Sequence, residues 1–171
     1  MDEGIGQILN KLEELGEREN TLIVFTADNG VCMGHHGVWG KGNATLPQNM
    51  YEESVKVPAI VWTPELNGQG KVAQGLYSHC DWYNTLLDYA GVKEYHENSH
   101  ACGKSFAQLL KGQPEQNDRQ QVFVFEEYGS VRMVRNKQMK YIHRYPSGPN
   151  ELYDLEKDPQ ETYNLVHQAE Y

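Results

Sequence analysis

Thr21-Leu-Ile-Val-Phe-Thr-Ala-Asp28-Asn29-Gly30 is the stretch of this chain that decides the fold. Its first seven residues are apolar or β-branched with no interruption, as in a short buried strand. Before it, residues 5–15 carry isoleucine and leucine at helical spacing, and Gly16 stands where such a helix would end. A helix followed by a buried strand is typical of α/β folds, in which ligands bind beyond the carboxyl ends of the strands.

Two polar residues, Asp28 and Asn29, occupy that position after the strand. They offer one charged and one neutral oxygen ligand, which suits Ca²⁺ or Mg²⁺ better than zinc. The alternative is structural, because Asn-Gly is also a strong hairpin signal. The residues after Gly30 do not alternate like a partner strand, yet from the residues alone a turn and a metal site both stay open.

The following segment, residues 28–56, has little apolar periodicity, and loops of that length are usually functional. Lys41 lies between Gly40 and Gly42, where it can approach an oxyanion closely. The glycine spacing does not fit a phosphate-binding P-loop, and a solvated surface lysine is the simpler reading. His36 is either a proton donor or a residue that stabilises the loop.

The rest of the pattern predicts an α/β fold, with part of a mixed sheet flanked by helices and then a small antiparallel sheet plus a C-terminal helix. Residues 1–112 form the α/β core in this prediction, and residues 121–171 form an antiparallel subdomain. The polar stretch 112–120 separates them. Strands are expected at 21–27 and 57–63, helices at 2–18, 81–89, 105–110 and 160–169, and a meander from residue 121.

The amino-acid composition argues against several classes of function. The 171 residues contain 15 Lys and Arg against 24 Asp and Glu, for a net charge of −9. That balance argues against nucleic-acid and anionic-membrane partners. The three cysteines are odd in number and scattered, so they predict no disulfide framework. No stretch has the length of a membrane span, the first residues resemble an acidic amphipathic helix rather than a signal peptide, and the compartment stays open.

One further motif, His96-Glu97-Asn98-Ser99-His100, matches the H-E-x-x-H pattern of zinc proteases. That mechanism needs a helix that turns both imidazoles to one side. No apolar helical face supports the motif, and Gly103 follows closely. The sequence therefore disfavours a zinc protease.

Residues 21–62 resemble the metal-and-sulfate segment of the type I sulfatases, in the alkaline phosphatase superfamily. Two other patches are similar to that family: residues 78–92 to a helix that follows its core strands, and residues 151–165 to its closing L-Y-D-L-x-x-D-P-x-E-x-x-N-L pattern. The resemblance implies that Asp28 and Asn29 are ligands of a divalent metal, usually calcium. It also implies that Lys41 binds the sulfate group, and His36 is a further candidate for the catalytic site.

The resemblance implies hydrolysis of an aryl or carbohydrate sulfate, with formylglycine as the nucleophile. None of the three cysteines lies in a C-x-P-S-R type motif, and no early Asp-Asp pair is present. The chain looks like the C-terminal part of a sulfatase, whose N-terminal half would be its partner, and alone it should not turn over. The alternatives are a phosphatase or phosphonate hydrolase of the same superfamily, and a non-catalytic binding or structural fragment.

Overall fold

The structure is a computed structural model that describes residues 1–66, 70–92, 102–126 and 130–171. The helices are α1 (Asp2–Glu14), α2 (Glu52–Val55), α3 (Asp81–Tyr89) and α4 (Ala107–Leu110). The strands are β1 (Ile23–Thr26), β2 (Cys32–Met33), β3 (Trp39–Gly40), β4 (Ala59–Trp62), β5 (Val122–Phe125), β6 (Val131–Arg135), β7 (Met139–Arg144) and β8 (Glu151–Asp154). No helix within these residues combines the length and the apolar character needed to cross a membrane.

The chain divides into two compact units. The first contains residues 1–25, 59–74 and 79–116, and the second contains 26–58, 75–78 and 117–171. One boundary, between residues 116 and 117, lies inside the polar stretch that the sequence suggested. Residues 26–58, which the sequence analysis assigned to the core, cluster with the C-terminal sheet instead. The two-domain division at 112–121 therefore stays a prediction.

In the first unit, β1 pairs with β4. Gly16 follows Leu15, the C-cap of α1, and its φ of 69° is the left-handed conformation expected after a helix. Asp81 is the first residue of α3, one position after the N-cap residue Cys80. Its carboxylate accepts the N–H of Lys104 at 2.8 Å, and its side chain is buried. The partner lies far along the chain, so no local pattern reveals it.

The second unit has a four-stranded antiparallel sheet in the order β5-β6-β7-β8, with Met133 opposite Ile142 and Tyr141 opposite Leu152. The α/β fold with a following antiparallel sheet is thus confirmed. One face of the sheet packs on Met50, and the core there consists of Met50, Val131, Met133, Ile142 and Tyr153. Segment 42–55 therefore covers the sheet with a mixture of apolar and ion-paired contacts.

The predicted C-terminal helix near 160–169 is wrong, because residues 155–171 form turns. Local side chains compete for the backbone groups that a helix would use. Asp158 accepts the N–H of Tyr163 at 2.8 Å, and Asn164 accepts that of Val166 at 3.0 Å. Glu161 has a φ of 54°, which an α-helix does not allow.

Candidate functional site

The turn after β1 is built around Gly30. Its N–H donates to the carbonyl of Ser54 at 3.0 Å. A Cβ at this position would lie 2.0 Å from the carbonyl oxygen of Glu53, so only glycine lets the two backbones approach so closely. Because β1 pairs with β4 in the described chain, Asn29-Gly30 is not a hairpin turn. The turn is instead fastened to α2.

Within this turn, the side chains of Asp28 and Asn29 take part in local hydrogen bonds. Asp28 Oδ1 accepts the N–H of Asn29 at 2.8 Å, and Asn29 Nδ2 donates to the carbonyl of Gly30 at 2.8 Å. Asp28 is exposed and Asn29 is half-buried. These bonds orient the Asn29 amide, so that its oxygen faces away from the turn backbone.

The structure brings Asn29 and Lys41 together. Lys41 Nζ donates to Asn29 Oδ1 at 3.0 Å, across twelve positions of sequence. Lys41 itself is exposed, so its ammonium can also reach a ligand from solvent. Because Asn29 Oδ1 already accepts a hydrogen bond from an ammonium group, this oxygen lies where it can interact with positive charge.

The glycines beside Lys41 pack tightly. Gly40 has a φ of 143°, and a Cβ there would lie 2.8 Å from the Cβ of Ala44. A Cβ at Gly42 would lie 2.9 Å from the carbonyl oxygen of Asn49. The Lys41 backbone is therefore held on both sides, which reduces the freedom that the ammonium must lose on binding an anion.

Asn49 is the residue that organises this segment, and sequence reasoning missed it. Its side chain is only 3 % exposed. Its backbone N–H and Nδ2 donate to the carbonyl of Gly42 at 3.0 and 3.2 Å, and its Oδ1 accepts the hydroxyl of Ser54 at 2.6 Å. It thus joins the Lys41 turn to α2. An asparagine in a polar loop carries no signal of burial, so the sequence offered no way to find it.

His36 lies in the same segment, with a φ of 54°. Its ring stacks on Tyr51, with ring centroids 3.6 Å apart and planes inclined by 7°. Its Nε2 lies 3.4 Å from Glu53 Oε2, a carboxylate oxygen shielded from solvent. The contacts of His36 are therefore with the start of α2, which suits a residue that supports the loop. A role as proton donor stays a prediction.

The start of α2 is anchored by buried charges. The N–H of Glu52 donates to Glu161 Oε2 at 2.6 Å, and Lys140 Nζ lies 2.7 Å from Glu161 Oε1. Lys140 also lies 3.2 Å from Glu52 Oε1, and Arg135 pairs with Glu52 Oε2. Burial disfavours ionisation of Glu52, but Lys140 and Arg135 together lower its pKa below the ordinary value.

Asp28 and Asn29 provide a carboxylate oxygen and an amide oxygen, the donors that Ca²⁺ and Mg²⁺ prefer. The Lys41 ammonium on Asn29 Oδ1 shows that a cationic group fits beside this oxygen. Across the described residues, no three His, Cys, Asp or Glu side chains are grouped to hold a metal. The two residues therefore fit a hard cation as part of a larger ligand set. The H-E-x-x-H motif lies outside the described residues.

Comparison with known proteins decides the family. Residues 1–92 match the family model described as Sulfatase. The chain belongs to the sulfatase family. The Sulfatase match covers β1, Asp28, Asn29 and Lys41, so the contact between Asn29 and Lys41 lies inside a segment that this family shares.

One relative is the N-acetylglucosamine-6-O-sulfatase of Bacteroides thetaiotaomicron, with 33% identity over all of this chain and 31% of its own length. A solved complex of a protein with its substrate D-glucosamine-2-N,6-O-disulfate has a TM-score of 0.77 and 32% identity, over 99% of this chain and 35% of that one. The phosphonate monoester hydrolase of Agrobacterium radiobacter has a TM-score of 0.82 and 27% identity, over 99% and 36%. The chain thus spans about a third of the length of these relatives.

Proposed function

We propose that this chain supplies the distal part of a sulfatase active site, for a protein that hydrolyses sulfate esters of carbohydrates or aryl alcohols. The observation that supports this most is the hydrogen bond of 3.0 Å between Lys41 Nζ and Asn29 Oδ1. It supports the proposal because Lys41, the proposed sulfate contact, donates to Asn29, the proposed metal ligand. In a sulfatase both must meet the same sulfate group.

In this proposal Asp28 and Asn29 are two of the ligands of a divalent cation, Ca²⁺ or Mg²⁺. When bound, the cation would stabilise negative charge on the sulfate oxygens, and formylglycine elsewhere in the protein would supply the nucleophile. Lys41 then binds a sulfate oxygen as a compact point charge. The 171-residue chain has no C-x-P-S-R type motif, so we expect no turnover from it alone.

Several residues around Lys41 contribute by holding its turn in place. Asn49 and the His36–Glu53 contact hold the Lys41 turn on α2. Such preorganisation matters because a charge that is already fixed need not reorganise when the transition state forms. We infer that Asn49 and Glu53 orient Lys41, and that His36 supports the same segment.

The second candidate is a phosphonate or phosphate ester hydrolase, since one structural neighbour is a phosphonate monoester hydrolase. Asn29 argues against it. Hydrolases of phosphate esters in this superfamily usually place a histidine after the metal-binding aspartate, to hold zinc or manganese, and an amide oxygen is a harder ligand that suits calcium.

The test is a substrate panel on the full-length protein that contains this chain. We expect release of sulfate from glucosamine 6-sulfate or an aryl sulfate, loss of activity in chelator, and recovery with Ca²⁺ or Mg²⁺. An Asp28→Ala variant should need far more metal for the same rate, because a charged ligand is gone. Faster turnover of a phenyl phosphonate than of every sulfate ester would favour the second candidate instead.

A further inference from the structure

Two of the three cysteines, Cys80 and Cys102, lie outside the site described above. Both are exposed, and both belong to the first unit. Cys80 directly precedes α3, and Cys102 directly precedes Gly103. The third, Cys32, is fully buried, with its sulfur 3.4 Å from the Ser54 hydroxyl.

The backbone holds the two exposed cysteines side by side. Gly103 has a φ of 123°, and a Cβ there would lie 2.2 Å from the carbonyl oxygen of Cys80. On one side of this contact, Lys104 N–H donates to the buried carboxylate of Asp81 at 2.8 Å. Asn84 Nδ2 also donates to the carbonyl of Gly103 at 2.9 Å. The neighbours of both cysteines are thus tied to the first turn of α3.

The side chains meet as well. A hydrogen bond with the Cys80 thiol, together with its electrostatic influence, raises the pKa of Cys102. The close approach of Gly103 to the Cys80 carbonyl brings Cys102 next to Cys80, and both cysteines are exposed to solvent. An exposed thiol pair can be reached by a small oxidant, whereas the buried Cys32 cannot.

We propose that Cys80 and Cys102 form a reversible disulfide that fastens segment 102–106 to the start of α3. In the step, one thiolate attacks a small disulfide oxidant such as oxidised glutathione and releases one reduced glutathione. The second thiolate then displaces the other glutathione and closes the S–S bond. Two protons and two electrons leave the protein, and two molecules of reduced glutathione form. The odd cysteine count hides this pair, because Cys32 is the residue left over.

The test needs no catalytic activity, so it stands apart from the proposed function. The 171-residue chain is incubated in oxidised glutathione, denatured in acid, and analysed by thiol titration, intact mass and peptide mapping. We expect one titratable thiol instead of three, a mass lower by two hydrogens, and one peptide pair joined through Cys80 and Cys102. Because the bond restricts the unfolded chain, Tm should rise by roughly 5–10 °C and fall back in reductant.

Cys80→Ser and Cys102→Ser are the matched variants, and each replaces an exposed thiol by a hydroxyl of similar size. Each should lose the oxidant-dependent rise in Tm and instead carry one glutathione adduct on the remaining exposed cysteine. Two stable glutathione adducts on the wild type, with no joined peptide, would overturn the proposal. So would zinc-dependent protection of both thiols that a chelator reverses, because the pair would then be a metal ligand set.

Discussion

Lys140 and Glu161 form an ion pair from which water is excluded. Their charged atoms are 2.7 Å apart, and neither side chain has exposed surface. Lys140 is the second residue of β7, and Glu161 lies in the turns that follow β8. The pair contacts Glu52, the first residue of α2, whose N–H donates to Glu161. The C-terminal segment thus fixes the helix to which the Asn29 and Lys41 turns are fastened.

Removing the positive partner should therefore destabilise the chain strongly. Lys140→Met leaves the buried carboxylate of Glu161 without its cation and takes one of two cations from Glu52, and we expect a loss of about 3–5 kcal/mol in the free energy of unfolding. Urea denaturation measures it. The exposed Lys137→Met is the matched control and should change stability by less than about 0.5 kcal/mol. Equal effects of the two substitutions would show that the buried pair is not what anchors α2.

Gly30 provides a steric test of the turn after β1. Gly30→Ala puts a Cβ where the Glu53 carbonyl now lies, so the turn or α2 must shift, and we expect a cost of about 1–3 kcal/mol. Gly6→Ala is the control, because Gly6 lies in α1 with open space around it. That substitution should stabilise by up to about 1 kcal/mol. Thermal unfolding of both variants checks the prediction, and a Gly30→Ala protein as stable as wild type would contradict it.

The two carboxylates beside Lys140 should respond to pH in opposite ways. Burial raises the pKa of Glu161 above its ordinary value of 4.5, and Lys140 only partly offsets this. The contribution of Glu161 to stability is therefore present below pH 4.5, and it is lost as pH rises through the pKa of Glu161 in the folded state. Glu52 has a lowered pKa, so its contribution is present above pH 4.5 and lost as pH falls through the folded pKa.

The measurement is the free energy of unfolding of Glu52→Gln and Glu161→Gln relative to wild type, from pH 3 to 7. As pH rises, Glu52→Gln should become worse relative to wild type, because wild type gains the ionised Glu52. Glu161→Gln should improve relative to wild type, because the variant avoids ionising a buried group. If the difference in unfolding free energy between variant and wild type changed with pH in the same direction for both variants, the opposite pKa shifts of Glu52 and Glu161 would be refuted.

Local pattern was enough for much of the fold. The apolar run that contains β1, the short run that contains β4, and the alternation in β5 to β7 each predicted a strand where one is found. The family resemblance assigned Asn29 and Lys41 to one site, but their contact was not predicted, since the eleven intervening residues carry no periodicity that would fix it. Regular secondary structure and residues of a family motif are thus the features that the sequence predicted best.

The buried residues that support the site could not be predicted from the sequence, and β7 shows the reason. Its alternation buries Lys140, Ile142 and Arg144 on one face, so two of the three buried side chains are charged. A prediction based on hydrophobicity would place the side chains of Lys140 and Arg144 in solvent. Their partners come from distant positions, as when Arg144 donates to the carbonyl of Gln48. Burial of a charge is decided by such partners and leaves no local mark.

The central claim is that Lys41 binds the sulfate group next to Asn29, and its most direct test is the turnover of a sulfate ester by the full-length protein with Lys41→Ala. Removing a fixed charge from a developing oxyanion costs about 3–4 kcal/mol, so the rate should fall by roughly 10²–10³. Lys41→Arg should recover only part of it, because a planar guanidinium does not replace a point charge between two tightly packed glycines. The exposed Lys56→Ala is the control and should turn over normally. Near-normal turnover by Lys41→Ala would remove this lysine from the sulfate site.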